Sequence, residues 1–232
     1  MSTTPQAGTQ TTAPGGSSAS PEIGSIPRIG DVAPDFTANT TQGEITFSQW
    51  HGGQWALLFS HPADFTPVCS TELVELARRN GEFEKRKTRL IGLSIDSVHS
   101  HLAWRQNLKQ IFDVLIPYPM IADSNGAVAA KYGMLHPGAS ATATVRAVFF
   151  IDPKRVVRAL VYYPLNIGRN VDEMMRVLDA LQTADQHGVA CPVNWKPGDE
   201  VIVPPPKTEK EVEQRLASNF KKLDFYLVKR PL

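Results

Sequence analysis

A short, uninterrupted apolar run, residues 55–59 with the sequence WALLF, constrains the fold of this chain most. It lies between Gly52-Gly53 and His61-Pro62, which are residue types that end strands. A strand without alternating polar residues is buried on both faces, as in sheets that carry helices on each side. The run therefore predicts a central strand of an α/β fold.

Apolar and amphipathic segments alternate from Ile29 onward, which is the pattern of an α/β domain with a central mixed sheet flanked by helices. The central strand, the helix after it and the next strand form a βαβ unit, which we expect to be right-handed. The other predicted elements are a helix from Thr66-Pro67 to about residue 86, a strand 90–95, a helix 97–108 with Ser97 as N-cap, a short helix after the turn 123–126, a hairpin of strands 146–151 and 156–162, and a helix 171–183.

The two ends of the chain differ from this main domain, which we assign to residues 28–186. Residues 1–27 are predicted to be a disordered tail, since residues 1–20 carry no charge and few apolar side chains. The tail lacks the features of a secretory signal or a mitochondrial presequence, so we expect a cytoplasmic protein. Residues 187–232 form a C-terminal arm with a helix 208–218 and a last strand 225–228, which contains too few apolar residues to fold alone.

Charge and cysteine content exclude several classes of function. The 24 Lys and Arg residues nearly balance the 23 Asp and Glu residues, so no overall field favours nucleic acid or anionic lipid. No apolar stretch reaches the length of a membrane span. Two cysteines, Cys69 and Cys191, cannot form a disulfide framework or a four-cysteine metal site. If the cysteines have a function, it is that of reactive thiols.

The segment HPADFTPVCSTE, residues 61–72, follows the central strand at its carboxyl end, where ligand sites of α/β sheets lie. Thr66 is a suitable N-cap and Pro67 suits the first helical position, which places Cys69 in the first turn of the helix. The helix dipole favours a thiolate there, and a thiolate is a nucleophile. The alternative is that Cys69 is a small apolar residue packed at a helix start, and these residues alone leave both interpretations open.

Pro62, Thr66 and Cys69 have the spacing P-x-x-x-T-x-x-C, which resembles the active-site signature of the peroxiredoxins. The surrounding text is most similar to the peroxiredoxin 6-like, or 1-Cys, subfamily, and the likeness extends over residues 30–232. The resemblance implies a thioredoxin-like fold. It also implies a thiol peroxidase that reduces hydrogen peroxide and organic hydroperoxides with an external thioredoxin-type thiol reductant and with no metal, haem or other cofactor.

The resemblance assigns a role to individual residues. It implies that Cys69 attacks the O–O bond and becomes a sulfenic acid, that Thr66 hydrogen-bonds the peroxide, that Arg146 stabilises the thiolate and the developing oxygen charge, and that Pro62 shields the sulfur. His61, Glu72 and Arg169 match positions that support such a site, with Glu72 and Arg169 orienting Arg146. The alternative for these three residues is ordinary ion pairing at the surface.

Cys191 departs from the 1-Cys pattern. Its segment, Ala190-Cys191-Pro192, resembles the one that holds the resolving cysteine of typical 2-Cys peroxiredoxins. This implies that Cys191 of a partner subunit attacks the Cys69 sulfenic acid and forms an intermolecular disulfide. The alternative is that Cys191 is a small apolar loop residue and that an outside thiol resolves the sulfenic acid.

Other functions and the assembly remain open at this point. A non-catalytic holdase chaperone and a redox-relay sensor are the alternatives to a peroxidase. The C-terminal arm needs a surface to pack on, so we expect a homo-oligomer, at least a dimer and in the larger case a decamer. No metal site is predicted, because His99 and His101 are two residues apart in a predicted helix and do not share a face.

Overall fold

The computed structural model describes residues 26–232, so the predicted tail 1–27 lies outside the described residues except for its last two. The strands in this range are Thr37–Thr40 (β1), Gly43–Thr46 (β2), Trp55–Ser60 (β3), Thr88–Ser94 (β4), Met120–Ala122 (β5), Arg146–Ile151 (β6), Val157–Tyr163 (β7), Val201–Ile202 (β8), Lys221–Asp224 (β9) and Leu227–Arg230 (β10). The helices are Phe47–His51 (α1), Pro67–Arg78 (α2), Asn80–Lys85 (α3), Val98–Phe112 (α4), Ala127–Lys131 (α5), Val171–His187 (α6) and Glu209–Ala217 (α7).

Seven strands form one mixed sheet in the order β2-β1-β5-β4-β3-β6-β7. Strand β3 is parallel to β4 and antiparallel to β6, and all six of its residues are buried. The predicted central strand and the βαβ unit of β3, α2 and β4 are therefore present. The fold is the expected mixed α/β fold of the thioredoxin-like class.

Two apolar clusters, one on each face of the sheet, explain the continuous apolar run of β3. Leu57 and Phe59 belong to the cluster that also contains side chains of α2, α4 and α6. Ala56 and Leu58 belong to the opposite cluster with Phe47 of α1. Because successive side chains of a strand point to opposite faces, a strand between two cores has to be apolar at every position.

Three predicted helices have different limits in the structure, and one of them, α4, extends to Phe112 instead of ending at residue 108. The helix after Cys69 is interrupted at Arg79, which separates α2 from α3, and the following Asn80-Gly81 pair has low helix propensity. Helix α6 extends to His187 and ends at Gly188, which has a left-handed φ of 60°. Its last turn is largely polar, so the apolar spacing that predicted the helix stops earlier than the helix does.

The C-terminal arm forms a small sheet with the order β8-β10-β9, beside helix α7. The predicted strand 225–228 is wrong in its limits, because Phe225 and Tyr226 form the turn between β9 and β10. The carboxylate of Asp224 accepts a hydrogen bond from the N–H of Phe225, which favours a turn there. Within residues 26–232, no helix is long and apolar enough to cross a membrane.

Candidate active site

Cys69 lies where the fold turns from the central strand into the first helix of the βαβ unit. Residues 61–66 form the loop after β3, Thr66 is the N-cap residue, and Pro67 is the first residue of α2. Cys69 is therefore in the first turn, and its side chain is fully buried. Backbone N–H groups in this turn have no acceptor within the helix, so the site favours a negative charge on the sulfur.

Arg146 is the cation beside the thiol. It is the first residue of β6. Because β6 is antiparallel to β3, Arg146 lies near the carboxyl end of β3, where the Cys69 loop begins. Its Nη1 lies 3.2 Å from the Sγ of Cys69. Its Nε and Nη2 donate to the carbonyl oxygen of Leu165 at 3.0 and 2.6 Å, which fixes the plane of the guanidinium.

The carboxylate of Glu72 binds both Arg146 and a second arginine, Arg169. Its carboxylate accepts a hydrogen bond of 2.7 Å from Arg146 Nη1 and two hydrogen bonds of 2.8 and 2.7 Å from the Nε and Nη2 of Arg169. Burial raises the pKa of Glu72, but Arg169 and Arg146 outweigh burial and hold this pKa below its ordinary value. The carboxylate is therefore ionised, and it connects the two guanidinium groups.

Arg169 links this carboxylate to the main sheet. Its Nη1 donates to the carbonyl oxygens of Ser60 and Ala147, both at 2.9 Å, at the ends of β3 and β6. Arg169 and Glu72 are only 8% and 4% exposed. The two side chains therefore form a buried network rather than a pair at the surface.

Thr66 and Pro62 lie in the loop before Cys69, as the signature requires. Thr66 occupies the predicted N-cap position, but its hydroxyl donates to the carbonyl oxygen of Ala63 at 2.8 Å and accepts no hydrogen bond from the helix. With its proton committed to Ala63, the Thr66 hydroxyl keeps its lone pairs for a hydrogen-bond donor from outside the protein. Pro62 is buried.

His61 belongs to a buried group with two residues that the sequence analysis did not select. Its Nε2 lies 3.0 Å from the carboxylate of Asp64, and the Nδ1 of His101 lies 2.8 Å from the same carboxylate. All three side chains are buried. The spacing of His101, Trp104 and Leu108 along α4 would have placed His101 on the buried face, whereas His99 is exposed.

Cys191 belongs to a different part of the chain. It follows α6 and packs in the small apolar cluster of Val189, Trp195 and Val201, and its Sγ lies 3.5 Å from the carbonyl oxygen of Ala180. Burial raises the pKa of this thiol. Both cysteines are free thiols in the single chain.

Because two histidines are buried, we expect the folded protein to become less stable in acid. Burial lowers the pKa of His51 and of His61, so the folded chain holds both imidazoles neutral. An unfolded histidine takes up a proton below about pH 6.5, which favours the unfolded state as the pH falls. We expect the free energy of unfolding to decrease below about pH 6.5, each imidazole contributing at most about 1.4 kcal/mol per pH unit.

Urea denaturation at pH 7.5 and at pH 5.5 measures this effect. The variant His51→Phe should show a smaller loss than the unchanged chain, because His51 is 1% exposed and its Nε2 has no hydrogen-bond partner within the described range. The variant His99→Gln is the control, since this side chain is exposed. Equal losses in all three proteins would contradict the prediction.

A buried thiol in the first turn of a helix, next to an arginine on a neighbouring strand of a thioredoxin-like sheet, defines a thiol-dependent oxidoreductase. Comparisons with known proteins specify the family. Residues 29–160 match the AhpC/TSA family, and residues 180–219 match the C-terminal domain of 1-Cys peroxiredoxin. The chain belongs to the peroxiredoxin family and is a thiol peroxidase.

Individual relatives are similar over most of the chain. A peroxiredoxin of Aquifex aeolicus is 51% identical over 219 residues, which cover 90% of this chain and 99% of the relative. A cysteine-to-serine mutant of peroxiredoxin 6 from Arenicola marina has a TM-score of 0.79 at 38% identity, covering 88% of this chain and 97% of that one. A yeast mitochondrial 1-Cys peroxiredoxin has a TM-score of 0.80 at 41% identity, covering 89% of this chain and 100% of that one.

Proposed function

We propose that Cys69 is the nucleophile of this peroxidase and that the substrates are hydrogen peroxide and organic hydroperoxides. The observation that carries the proposal is the distance of 3.2 Å between the Cys69 Sγ and the Nη1 of Arg146, at a helix start. A permanent cation and a helix dipole both stabilise a thiolate. The full burial of Cys69 favours small oxidants over protein substrates in this step.

The reaction follows from the groups around the sulfur. The Cys69 thiolate attacks one oxygen of the hydroperoxide, the O–O bond breaks, and the other oxygen leaves as an alcohol or water after taking up a proton. Sulfur is oxidised to a sulfenic acid while the peroxide is reduced by two electrons. Arg146 stabilises the negative charge that develops on the leaving oxygen, and the Thr66 hydroxyl accepts a hydrogen bond from the peroxide.

The remaining residues of the signature support these two. Glu72 and Arg169 orient the guanidinium of Arg146, as their shared hydrogen bonds suggest. Pro62, buried at the start of the loop, excludes water from the sulfur. His61 supports the same loop through Asp64.

For the second half of the cycle, we propose that Cys191 of a partner subunit attacks the Cys69 sulfenic acid. An intermolecular S–S bond forms, water leaves, and a thioredoxin-type dithiol reduces the disulfide. Because Cys69 is fully buried, the first turn of α2 has to open before any second thiol reaches it. This cycle requires at least a homodimer, and we place it in the reducing cytoplasm.

Resolution by an outside thiol is the second candidate, and two observations favour it. Cys191 is half-buried, and burial raises its pKa, which reduces the thiolate fraction available for attack. The yeast 1-Cys relative is described with a thiol resolving mechanism via glutathione/thioredoxin systems. The two candidates differ in whether peroxide produces a covalent dimer.

A non-reducing denaturing gel with intact-mass analysis separates the candidates. The purified protein and the variants Cys69→Ser and Cys191→Ser are treated with one equivalent of hydrogen peroxide and then alkylated. We expect a covalent dimer in the unchanged protein and none in either variant. A monomer with a sulfenic acid on Cys69 would support the outside thiol, and an unreacted Cys69 would overturn the proposed role of this cysteine.

The same variants address the other two functions. A holdase chaperone does not depend on catalysis, so the Cys69→Ser variant would suppress aggregation of a client protein as well as the unchanged protein does. A redox relay would pass oxidation from Cys69 to a cysteine of another protein. A protein that acts only as a peroxidase, tested without reductant and partner, would show neither suppression of aggregation nor transfer of oxidation to another protein.

A further inference from the structure

The loop that precedes the Cys69 helix has an unfavourable backbone conformation. Phe65 has a φ of 55°, in the left-handed region that a residue with a Cβ rarely adopts, and its ring is 56% exposed. Such a conformation persists only where the surrounding structure holds it. The adjacent residues of the loop therefore have to supply contacts that maintain this turn.

Asp64, the residue before Phe65, makes these contacts. Its carboxylate lies within 3.0 Å of the Nε2 of His61 and within 2.8 Å of the Nδ1 of His101, and its backbone N–H donates to the carboxylate of Asp96 at 3.0 Å. Side chains from the loop, from α4 and from the end of β4 thus meet at one residue. Asp64 is the point where the strained loop is attached to the rest of the fold.

Two hydrogen-bond acceptors face the ring nitrogens of His101. Its Nε2 lies 3.1 Å from the carbonyl oxygen of Ile121, and its Nδ1 faces the Asp64 carboxylate. A carbonyl oxygen and an ionised carboxylate only accept hydrogen bonds. The buried contact of 2.8 Å between Nδ1 and Asp64 therefore needs a hydrogen on Nδ1.

Asp64 and His61 complete this hydrogen-bonded group. Burial raises the pKa of Asp64, but hydrogen bonds from His101 and His61 outweigh burial and hold this pKa well below its usual range. The Nε2 of His61 donates to Asp64, while its Nδ1 has no hydrogen-bond partner within residues 26–232. His61 is therefore neutral, and the ionised carboxylate of Asp64 lies between the two histidines, with the carboxylate of Asp96 nearby.

The same three side chains offer two imidazoles and a carboxylate whose ligand atoms all lie within 4.8 Å of one another. Each imidazole nitrogen already lies 2.8 to 3.0 Å from the Asp64 carboxylate, which is hydrogen-bond distance. Both histidine side chains have an accessible surface of 0%. The three ligand atoms are thus already engaged in hydrogen bonds, which favours a structural group over an ion-binding site.

We propose that His101 and Asp64 are positioning residues for the peroxidase reaction. Their buried hydrogen bond attaches the strained loop to α4 and β5, and so keeps Pro62 and Thr66 in place beside Cys69. The inference rests on the proposed role of Cys69. The hydrogen bonds of both side chains go to other groups than the Cys69 sulfur, so both residues act through the loop.

Two substitutions at one position test this inference. In His101→Asn, the side-chain amide nitrogen takes the place of Nδ1 and keeps a donor toward Asp64. In His101→Gln, the amide nitrogen takes the place of Nε2, so the donor toward Ile121 stays and the donor toward Asp64 is lost. Both variants remove the ring, so they differ mainly in the contact that the inference requires.

The readout is the second-order rate constant for oxidation of Cys69 by hydrogen peroxide in a single turnover without reductant. Mass analysis identifies the product, and the fluorescence of Trp104, whose ring lies 5.4 Å from that of His61, follows the reaction. We expect a decrease of about tenfold or more in His101→Gln and of less than about threefold in His101→Asn. Equal rate constants in the two variants would overturn the inference.

A measurement on the unchanged protein covers the case in which a variant fails to fold. Long-range nitrogen–proton correlation spectra at neutral pH distinguish an imidazolium from either neutral tautomer. We expect a hydrogen on the Nδ1 of His101 and on the Nε2 of His61, and a His101 without a hydrogen on Nδ1 would overturn the inference. If Cys69 of the unchanged protein fails to react with peroxide, it is the proposed function that fails, whatever the spectra show.

Discussion

Replacing Arg146 with glutamine is expected to slow the reaction of Cys69 with hydrogen peroxide by about a hundred- to a thousandfold. The guanidinium is the cation 3.2 Å from the sulfur, and two of its nitrogens are fixed by the carbonyl oxygen of Leu165. Glutamine retains a hydrogen-bond donor but removes the charge. The thiolate and the leaving oxygen would then lose their main electrostatic partner.

Stopped-flow measurement of the rate constant at neutral pH, with hydrogen peroxide and without reductant, checks this result. Loss of Arg146 leaves Glu72 paired with Arg169, so the fold should be retained. A rate constant within threefold of the unchanged protein would contradict the role of Arg146.

Arg158→Gln is the matched control for this substitution. Arg158 lies on the adjacent strand β7 and is also bound by carboxylates, those of Asp152 and Asp185. Asp152 directly follows β6, so this cluster is at the opposite end of that strand from Arg146. We expect an unchanged rate constant for Arg158→Gln, which separates the loss of a nearby cation from the loss of any arginine in the sheet.

Local sequence signals predicted the parts of the site that depend on neighbouring residues. Three signals each concern only a few consecutive residues: the apolar run of β3, Pro67 at the start of α2, and the turn residues between β6 and β7. These signals are sufficient to place Cys69 at a helix start and Arg146 at the beginning of a strand. The structure agrees with both placements.

The side-chain network could not be derived in the same way. Glu72 meets Arg146 across 74 residues and Arg169 across 97, and Asp64 meets His101 across 37. Such contacts depend on strand order and register, which one sequence without relatives does not determine. The short strands β1, β2 and β5 were missed because three or four residues give too little periodicity.

Replacing Glu72 with glutamine is expected to lower the free energy of unfolding by about 3 to 5 kcal/mol. The carboxylate is 4% exposed and is the anion between the buried guanidinium groups of Arg146 and Arg169. Glutamine has the same size but no charge, and its amide group would direct hydrogens at a guanidinium that has only donors. Two buried cations would remain without their counterion.

Glu75→Gln on the same helix is the control for this prediction. Glu75 has a side chain that is 46% exposed and lies 3.9 Å from Arg79, and exposed pairs of this kind contribute about 1 kcal/mol or less. Urea denaturation of both variants at pH 7 should therefore give a large loss for Glu72→Gln and almost none for Glu75→Gln. Similar losses would indicate that helix α2, and not the buried charge, is sensitive to substitution.

The pH dependence of the Glu72→Gln effect identifies its cause. The two arginines hold the pKa of Glu72 below its ordinary value, so the stabilisation by the carboxylate is complete above the pKa of an unfolded glutamate, about 4.3. It is lost as the pH falls through the folded pKa, whereas glutamine does not titrate. The difference in unfolding free energy between the two proteins should therefore narrow below about pH 4, and a constant difference would mean that packing rather than charge accounts for it.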